Sequence, residues 1–406
     1  MTEQAAPGAL DGVTVIDLTN WVAGPYATKM LADLGARVIK VERRGGDPAR
    51  NLEPFLQDEP GPDRSATFQF LNTNKEGIVL DLATDAGRAV LYRMTERADL
   101  VVTSSSPAVE EALGIDYASL QPHGDPAVVS LTNFGHTGPY RDYRLSETVL
   151  YAMGGEMFGH GLASREPLKL GGTAALLQSG SMAGLAAMGA ITAREVHGIG
   201  QFVEVSLFEA QIASMDRRSS AILGYRFSGR IVQRPPGASS GIAGGVYPVE
   251  DGYVEVTASG GNYWNRFVEM IGAEELRDPK WSQPETARNP AAKEEADGVV
   301  YPWMLTHTRA EVWKAARDAH ALVAPYFTGM DVFNDETFRG RGLWVEIDHP
   351  VLGRQPVFGR PYVLEKTPWQ LRRPAPTLGQ DTESVLAWAG LDADAVPTLR
   401  SEGVVA

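Results

Sequence analysis

"VTVIDLTNWVAGPYATKMLADLGARVIKVE", residues 13–42, decides the fold. Its two ends, VTVIDL (13–18) and ARVIKVE (36–42), are short apolar runs rich in β-branched residues, as in strands buried on both faces. Between them, GPYATKMLADLG has helical spacing and closes on Gly35, a glycine suited to a helix C-terminus. The same alternation continues downstream. GIVLDL (77–82), DLVVTS (99–104), AVVSLTNF (127–134) and QFVEVSL (201–207) read as strands. Thr84 and Asp85 are placed to cap the helix in DAGRAVLYRMTERA, and a small-residue helix is expected over 180–196. Repeated βα units predict an α/β protein with a doubly wound, Rossmann-like parallel sheet.

The alternation weakens after about residue 210. RPPGASSGIAGG (234–245) has the composition of a linker and precedes a hairpin, a glycine turn and a helix. The expected boundaries are a large domain over 1–210, a linker over 211–239, a small α+β domain over 240–330 and a C-terminal segment over 331–406.

With 406 residues and a net charge of −14, the chain is long enough for two domains and too acidic to wrap nucleic acid. Any anionic ligand has to be held by a local cluster of Arg and Lys. The absence of cysteine removes disulfides, thiolate nucleophiles and sulfur-ligated metals. The seven histidines never fall at ligand-like spacing, so no metal is expected. MTEQAAPGALDG has neither a basic n-region nor an apolar h-region, and SMAGLAAMGAITA is too short to span a bilayer. A cytoplasmic protein with no membrane partner is the expectation.

Two motif readings are weak. GSMAG (180–184) resembles a nucleophile elbow only loosely, because Ser181 directly follows the glycine. No G-x-G-x-x-G follows the first strand, so a dinucleotide site is not supported. Three stretches remain. The first is the loop after strand one with the end of strand two, where Arg43 and Arg44 either grip phosphate or pair with Glu42 or Asp47. The second is NFGHTGPYRDYRLSETVLYAMGG (133–155), carrying Arg141, Arg144, Ser146 and Glu147. Glu147 suits a general acid or base, but Ser-Glu before a helix is also ordinary capping. The third is SGGN (259–262), a turn able to close over a ligand or merely to join two elements.

The order of VIDLTNWVAGPYATKMLADLGARVIKVERRGGDPAR, NTNKEGIVLDLATDAGR, NFGHTGPY, GIGQFVEVSLFEA, DGYVEV, HPVLG and APTLGQDTESVL resembles the family III CoA-transferases, the CaiB/BaiF family that includes formyl-CoA transferase. The resemblance covers nearly the whole chain. It implies a large domain made from both chain ends, a small central domain, and two subunits threaded through each other. It implies acyl-CoA as substrate, a carboxylic acid as co-substrate and no permanently bound cofactor. By position it places CoA against Val22, Ala23, Arg43, Leu80 and Arg144. The chain departs from the family at TSSSPA (103–108), where relatives often read ENF.PG, and at Ala83, where a lysine is common.

A second departure is chemical. The family's nucleophile is an Asp four residues before a glycine, and it attacks the thioester to form a mixed anhydride. Counting back from GIGQ (198–201) puts Gly180 at that glycine and Leu176 at the Asp, and no Asp or Glu occurs from Pro167 to Arg194. Glu147 aligns with the family's other carboxylate. A racemase is disfavoured, since that branch needs acids at both positions and a His where Ser146 stands. The resemblance implies the Asp-lacking subunit of a two-subunit CoA-transferase, as in the benzylsuccinate enzymes, partnered by an Asp-bearing paralogue. The alternatives are a homo-oligomeric acyl-CoA isomerase, lyase or hydrolase using Glu147, and a non-enzymatic CoA-binding scaffold.

Overall fold

The computed structural model describes residues 6–213, 217–231, 233–234, 239–258, 261–287 and 289–406. In chain order the first elements are β1 (Thr14–Leu18), α1 (Ala23–Asp33), β2 (Arg37–Glu42), α2 (Ala66–Asn72), β3 (Lys75–Val79), α3 (Asp85–Thr95) and β4 (Leu100–Thr103). There follow α4 (Pro107–Leu113), α5 (Tyr117–Leu120), β5 (Ala127–Thr132), α6 (Glu147–Met153), α7 (Glu156–Gly159), α8 (Ala174–His197), β6 (Phe202–Ser206), α9 (Leu207–Ala213) and α10 (Arg217–Ser228). The six strands form one parallel sheet in the order β3-β2-β1-β4-β5-β6. Chain direction across the sheet reverses between β1 and β4, which opens a crevice at their C-terminal ends.

The expected strands are present, with β3 beginning two residues earlier than read from GIVLDL. Thr84 caps α3, accepting from the Gly87 N–H at 3.0 Å. Gly35 follows α1 with φ of +114°, which a side chain would resist. The small-residue helix differs from expectation at its start. It begins at Ala174 and runs 24 residues, so Leu176 lies in its first turn rather than in the segment before it. Thr173 stands at the N-cap but makes no side-chain capping hydrogen bond, and the two glycines before it read as a turn, which hid the true start.

Packing explains the small residues. A Cβ on Gly180 would lie 2.5 Å from the Ala23 carbonyl oxygen, and one on Gly184 would meet the Met30 sulfur at 3.3 Å. The glycines and alanines of α8 let α1 approach at backbone distance. Leu176, one turn before Gly180, joins Val22, Ala23, Ala27 and Leu31 in the same buried cluster. Among the described residues α8 alone is long and apolar enough to cross a membrane, and half of that stretch is buried within the protein.

Two compact units divide the chain: one of 1–157, 169–231 and 337–406, the other of 158–168 and 232–336. The stretch 211–239, read as a linker, carries α10, whose only helix-breaking residue is Gly224. The second unit holds a four-stranded antiparallel sheet, β10-β9-β8-β7, built from β7 (Ser239–Gly241), β8 (Gly244–Val249), β9 (Gly252–Thr257) and β10 (Val323–Pro325). Its helices are α11 (Gly261–Ile271), α12 (Pro284–Ala287), α13 (Pro290–Leu305), α14 (Arg309–Asp318) and α15 (Gly329–Asn334). Trp264, Phe267, Val300 and Met304 form its core. Part of 234–245 and the first two residues of SGGN lie outside the described residues.

The C-terminal segment contributes α16 (Glu336–Gly340), a hairpin of β11 (Trp344–His349) and β12 (Gly353–Phe358), then α17 (Thr382–Trp388) and α18 (Ala395–Ser401). It rejoins the first unit through backbone contacts. Asp81 N–H donates to the Val404 carbonyl at 2.8 Å, and Val404 and Val405 are buried beside Leu80.

Candidate active site

A cleft of about 460 Å³ opens where β1, β2 and β4 end. Thr19, Asn20, Glu42, Arg43, Asp81, Ala83, Ser105 and Val109 are among its lining residues. Its backbone is held by buried ion pairs. Lys75 Nζ lies 2.9 Å from Asp17 Oδ2, and Lys40 Nζ lies 2.8 Å from Asp47 Oδ2. Lys75 also donates to the Pro25 carbonyl, Thr28 Oγ1 and Asn72 Oδ1, while Lys40 reaches the Thr19 carbonyl at 3.0 Å. Asp47 Oδ1 accepts from the Trp21 N–H at 2.9 Å. That bond holds Trp21 at φ of +69°, a conformation costly for an aromatic residue.

The charges respond as burial and pairing require. Burial pushes the Asp17 carboxyl up, but the Lys75 and Lys40 ammoniums and the threonine hydroxyls outweigh it and hold it at about 2. Burial pulls Lys75 down to about 8, with Asp17 opposing only in part. Burial also pulls Lys40 down, but Asp47, Asp17 and Glu42 reverse the effect and raise it.

Glu42 and Asp47 are therefore engaged with other groups. Glu42 takes a bidentate pair from Arg50, 2.7 Å on each arm, and Arg50 reaches Asp63 and the Pro376 carbonyl as well. Arg43 is left exposed at the cleft, bonded to the Gly46 carbonyl at 3.3 Å and without a carboxylate partner among the described residues. Of the alternatives open for Arg43, pairing with Glu42 or Asp47 is not what the fold adopts.

The other named residues are spread around this centre. Leu80 lines the same cleft as Arg43. Val22 instead lines a neighbouring cavity of about 270 Å³ with Phe70, Leu71, Thr173 and Leu177. Ala23 is buried at the start of α1, and Arg144 is exposed in the loop after β5, lining neither cavity.

Glu147 is the first residue of α6, and Ser146 caps that helix by accepting from the Val149 N–H. The carboxylate itself reaches a different helix. Its Oε1 accepts from the Ala175 N–H at 3.2 Å, and its Oε2 accepts from Lys169 Nζ at 3.1 Å. Lys169 also donates to the Leu170 and Gly172 carbonyls, both at 2.7 Å. Glu147 thus caps α8 from a distance and pins the segment before it. It brings a carboxylate to the first turn of α8, beside Leu176, although none exists in the local sequence. Sequence reading missed this and Lys169, because the partners are more than 20 residues apart. Among the described residues no group of His, Asp and Glu is arranged to hold a metal.

The model of CoA-transferase family III matches residues 10–382. The chain belongs to CoA-transferase family III. As a family III chain it is 29% identical over 402 residues to the succinyl-CoA:(R)-benzylsuccinate CoA-transferase subunit BbsE of Thauera aromatica, covering 96% of this chain and 97% of that one. It is 30% identical to the succinate–glutarate CoA-transferase of Agrobacterium fabrum, covering 93% and 95%. The crystal structure of a CaiB/BaiF family protein from Brucella suis superimposes with a TM-score of 0.84 at 26% identity, over 94% of this chain and all of that one. Enzymes of this family use acyl-CoA as substrate, and the six-stranded α/β unit is the fold they share.

Proposed function

We propose that this family III chain is the acyl-CoA-binding, Asp-lacking subunit of a two-subunit enzyme that moves CoA between an acyl-CoA and a carboxylic acid. The observation that carries the reading is that no Asp or Glu occurs from Pro167 to Arg194; in this reading Leu176, a 6% exposed core residue, takes the place of the family's nucleophilic Asp. A leucine cannot attack a thioester. The cleft would receive the nucleotide end of CoA, with Arg43 at a phosphate and Leu80 against the ring system, while Val22, Ala23 and Arg144 frame the path of the acyl end. The covalent step would fall to an Asp-bearing paralogue. Two relatives are subunits by name: BbsE, and the succinyl-CoA–L-malate CoA-transferase alpha subunit of Chloroflexus aurantiacus.

Threaded assembly, homo- or heteromeric, agrees with the apolar side chains left in water. Leu185 and Val196 on α8 and Ile222, Leu223 and Phe227 on α10 are all more than half exposed. A cytoplasmic location and the absence of a permanent cofactor belong to the same reading.

The alternative in which Glu147 performs isomerase, lyase or hydrolase chemistry has one supporting observation, its reach to the start of α8. Both of its oxygens are already bonded there, which favours a holding role over a reactive one. One experiment separates the readings: the protein alone is incubated with acyl-CoA and free acid, then mixed with an Asp-bearing paralogue. Exchange appearing only in the mixture is the expected result. Robust exchange by the lone chain, lost in Glu147→Gln, overturns it. Sedimentation of the lone chain as a stable monomer would remove the threaded homodimer.

A further inference from the structure

Four polar residues beneath the sheet's C-terminal edge take no part in the chemistry so far described. They are Thr103 at the end of β4, Glu110 on α4, Ser130 on β5 and His136 in the loop that follows. Glu110 is 1% exposed, and its Oε1 accepts from the Thr103 hydroxyl and from Ser130 Oγ, the latter at 2.8 Å. Ser130 Oγ lies 2.9 Å from His136 Nε2, and Glu110 Oε2 lies 3.8 Å from the same nitrogen. Because the serine proton is given to Glu110, its oxygen is left to accept, so His136 carries a proton on Nε2. The His136 backbone N–H donates to Glu204 Oε1 on β6 at 2.5 Å.

This hydrogen-bonded relay joins the wall of the cleft to the loop that follows β5. Helix α4 presents Val109 and Leu113 to the cleft. The loop anchored by His136 carries Arg144 and ends at Ser146 and Glu147. Glu110 links the helix that walls the cleft to that loop through Ser130 and His136, beside the Arg141–Glu111 ion pair that joins the same two parts.

We propose that Glu110 is a positioning residue whose carboxylate, acting through Ser130 and His136, holds the 133–146 loop against α4 and makes binding in the cleft depend on the protonation of this acid. The inference rests on the cleft being the acyl-CoA site. Burial pushes Glu110 up to about 6, against the hydroxyl bonds of Thr103 and Ser130, and Asp116 and Glu111 add to the rise. Burial likewise lowers His136, with Glu204 and Glu111 opposing and Arg141 adding to the fall. Arg141 is itself paired with Glu111 at 2.7 Å. The charged groups facing the cluster are thus Glu111 on α4, Asp116 beside α5, Glu204 on β6 and Arg141 in the loop. Protonation removes the charge that strengthens both hydroxyl bonds and turns one carboxyl oxygen into a donor. The link to His136 then weakens.

The test is amide hydrogen exchange of the 133–146 peptide in the full-length protein, corrected for intrinsic rates, at pH 5.0 and 7.5. CoA binding is measured by calorimetry under the same conditions. In wild type the loop should exchange several-fold faster at pH 5.0, and CoA should bind several-fold more weakly. Glu110→Gln should show the pH 5.0 behaviour at both values with an unchanged circular dichroism spectrum. Ser130→Ala, which keeps the titrating acid but cuts the relay, should do the same. A wild-type loop equally protected at both pH values, a Glu110→Gln protein that keeps the wild-type dependence, or a fully protected loop in Ser130→Ala overturns the proposal. If CoA binds at neither pH, the cleft assignment fails, while loop exchange still decides the role of Glu110.

Discussion

Where β1 and β2 end, Asp17, Lys75, Lys40, Asp47, Glu42 and Arg50 are all dry, none with a side chain more than 1% exposed. Where α8 begins, Lys169 and Glu147 are 25% and 12% exposed and make one ion pair between them. The first group has lost its hydration and depends on every partner being present, so any single loss strands a charge. The second is a local clasp in partial contact with water. A chain can therefore change its chemistry at the start of α8 without endangering the fold, whereas the strand ends tolerate no such drift. Leu176 fits the first turn of α8 as core, and it asks nothing of its neighbours.

The sharpest way to break this contrast is Lys75→Met. It leaves Asp17 buried without its nearest ammonium and should cost about 3–5 kcal/mol, read from the urea midpoint at constant slope. A loss below about 1 kcal/mol would show that the threonine hydroxyls alone sustain the carboxylate, and the dry network would not be the constraint described.

Arg43→Ala should do the reverse, leaving the urea midpoint in place while weakening CoA binding about 10- to 100-fold, as expected for one charge-assisted phosphate contact. Equal affinity in wild type and variant would remove Arg43 from the site.

Acid titration should expose Asp17. Its folded value, about 2, lies below the unfolded 3.8, so its contribution is complete above about pH 4 and disappears as pH falls toward 2. The shift corresponds to about 2 kcal/mol, and Asp17→Asn should flatten the stability profile over that window. Lys75 carries the opposite charge, yet its slope has the same sign. Its folded value of about 8 lies below the unfolded 10.5, so its penalty is relieved as pH rises between them.

The smallest effect belongs to Glu147→Gln. The amide oxygen can still accept from Ala175, and only the partly wet pair with Lys169 is lost, about 0.5 kcal/mol. CoA affinity should stay at the wild-type value. A drop of several kcal/mol would mean that this clasp, too, is part of the frame.

Both features of the contrast were hidden in the chain to different degrees. Arg43 could be found because it follows a strand in a βαβ unit, and ligand sites lie at such ends. That it has no carboxylate partner among the described residues could not, since Glu42 and Asp47 are its neighbours in sequence and looked like its partners. Arg50 and Lys40 take them only once the loop folds back over the sheet. Glu147 was visible as a capping residue for α6, as Ser-Glu before an apolar run suggests. Its bond to Ala175 spans 28 positions and leaves no local trace.

The alternation of β-branched runs with helical spacing, closed by Gly35 and opened by Thr84, was enough to specify the α/β class and the places where loops meet the sheet's edge. These signals are local, because the backbone hydrogen bonds of a turn or cap are made within a few residues. The absence of Asp and Glu from Pro167 to Arg194 was equally plain in the amino acids alone. Partner choice among charges was not. Asp17 meets Lys75 across 58 positions, and Glu110 meets Ser130 across 20. Which carboxylate pairs with which cation is settled by the parallel register of β1, β2 and β3, which sets Asp17 opposite Lys40 and carries Lys75 within reach in the same dry interior. Only there, with water excluded, does a charge need a particular partner.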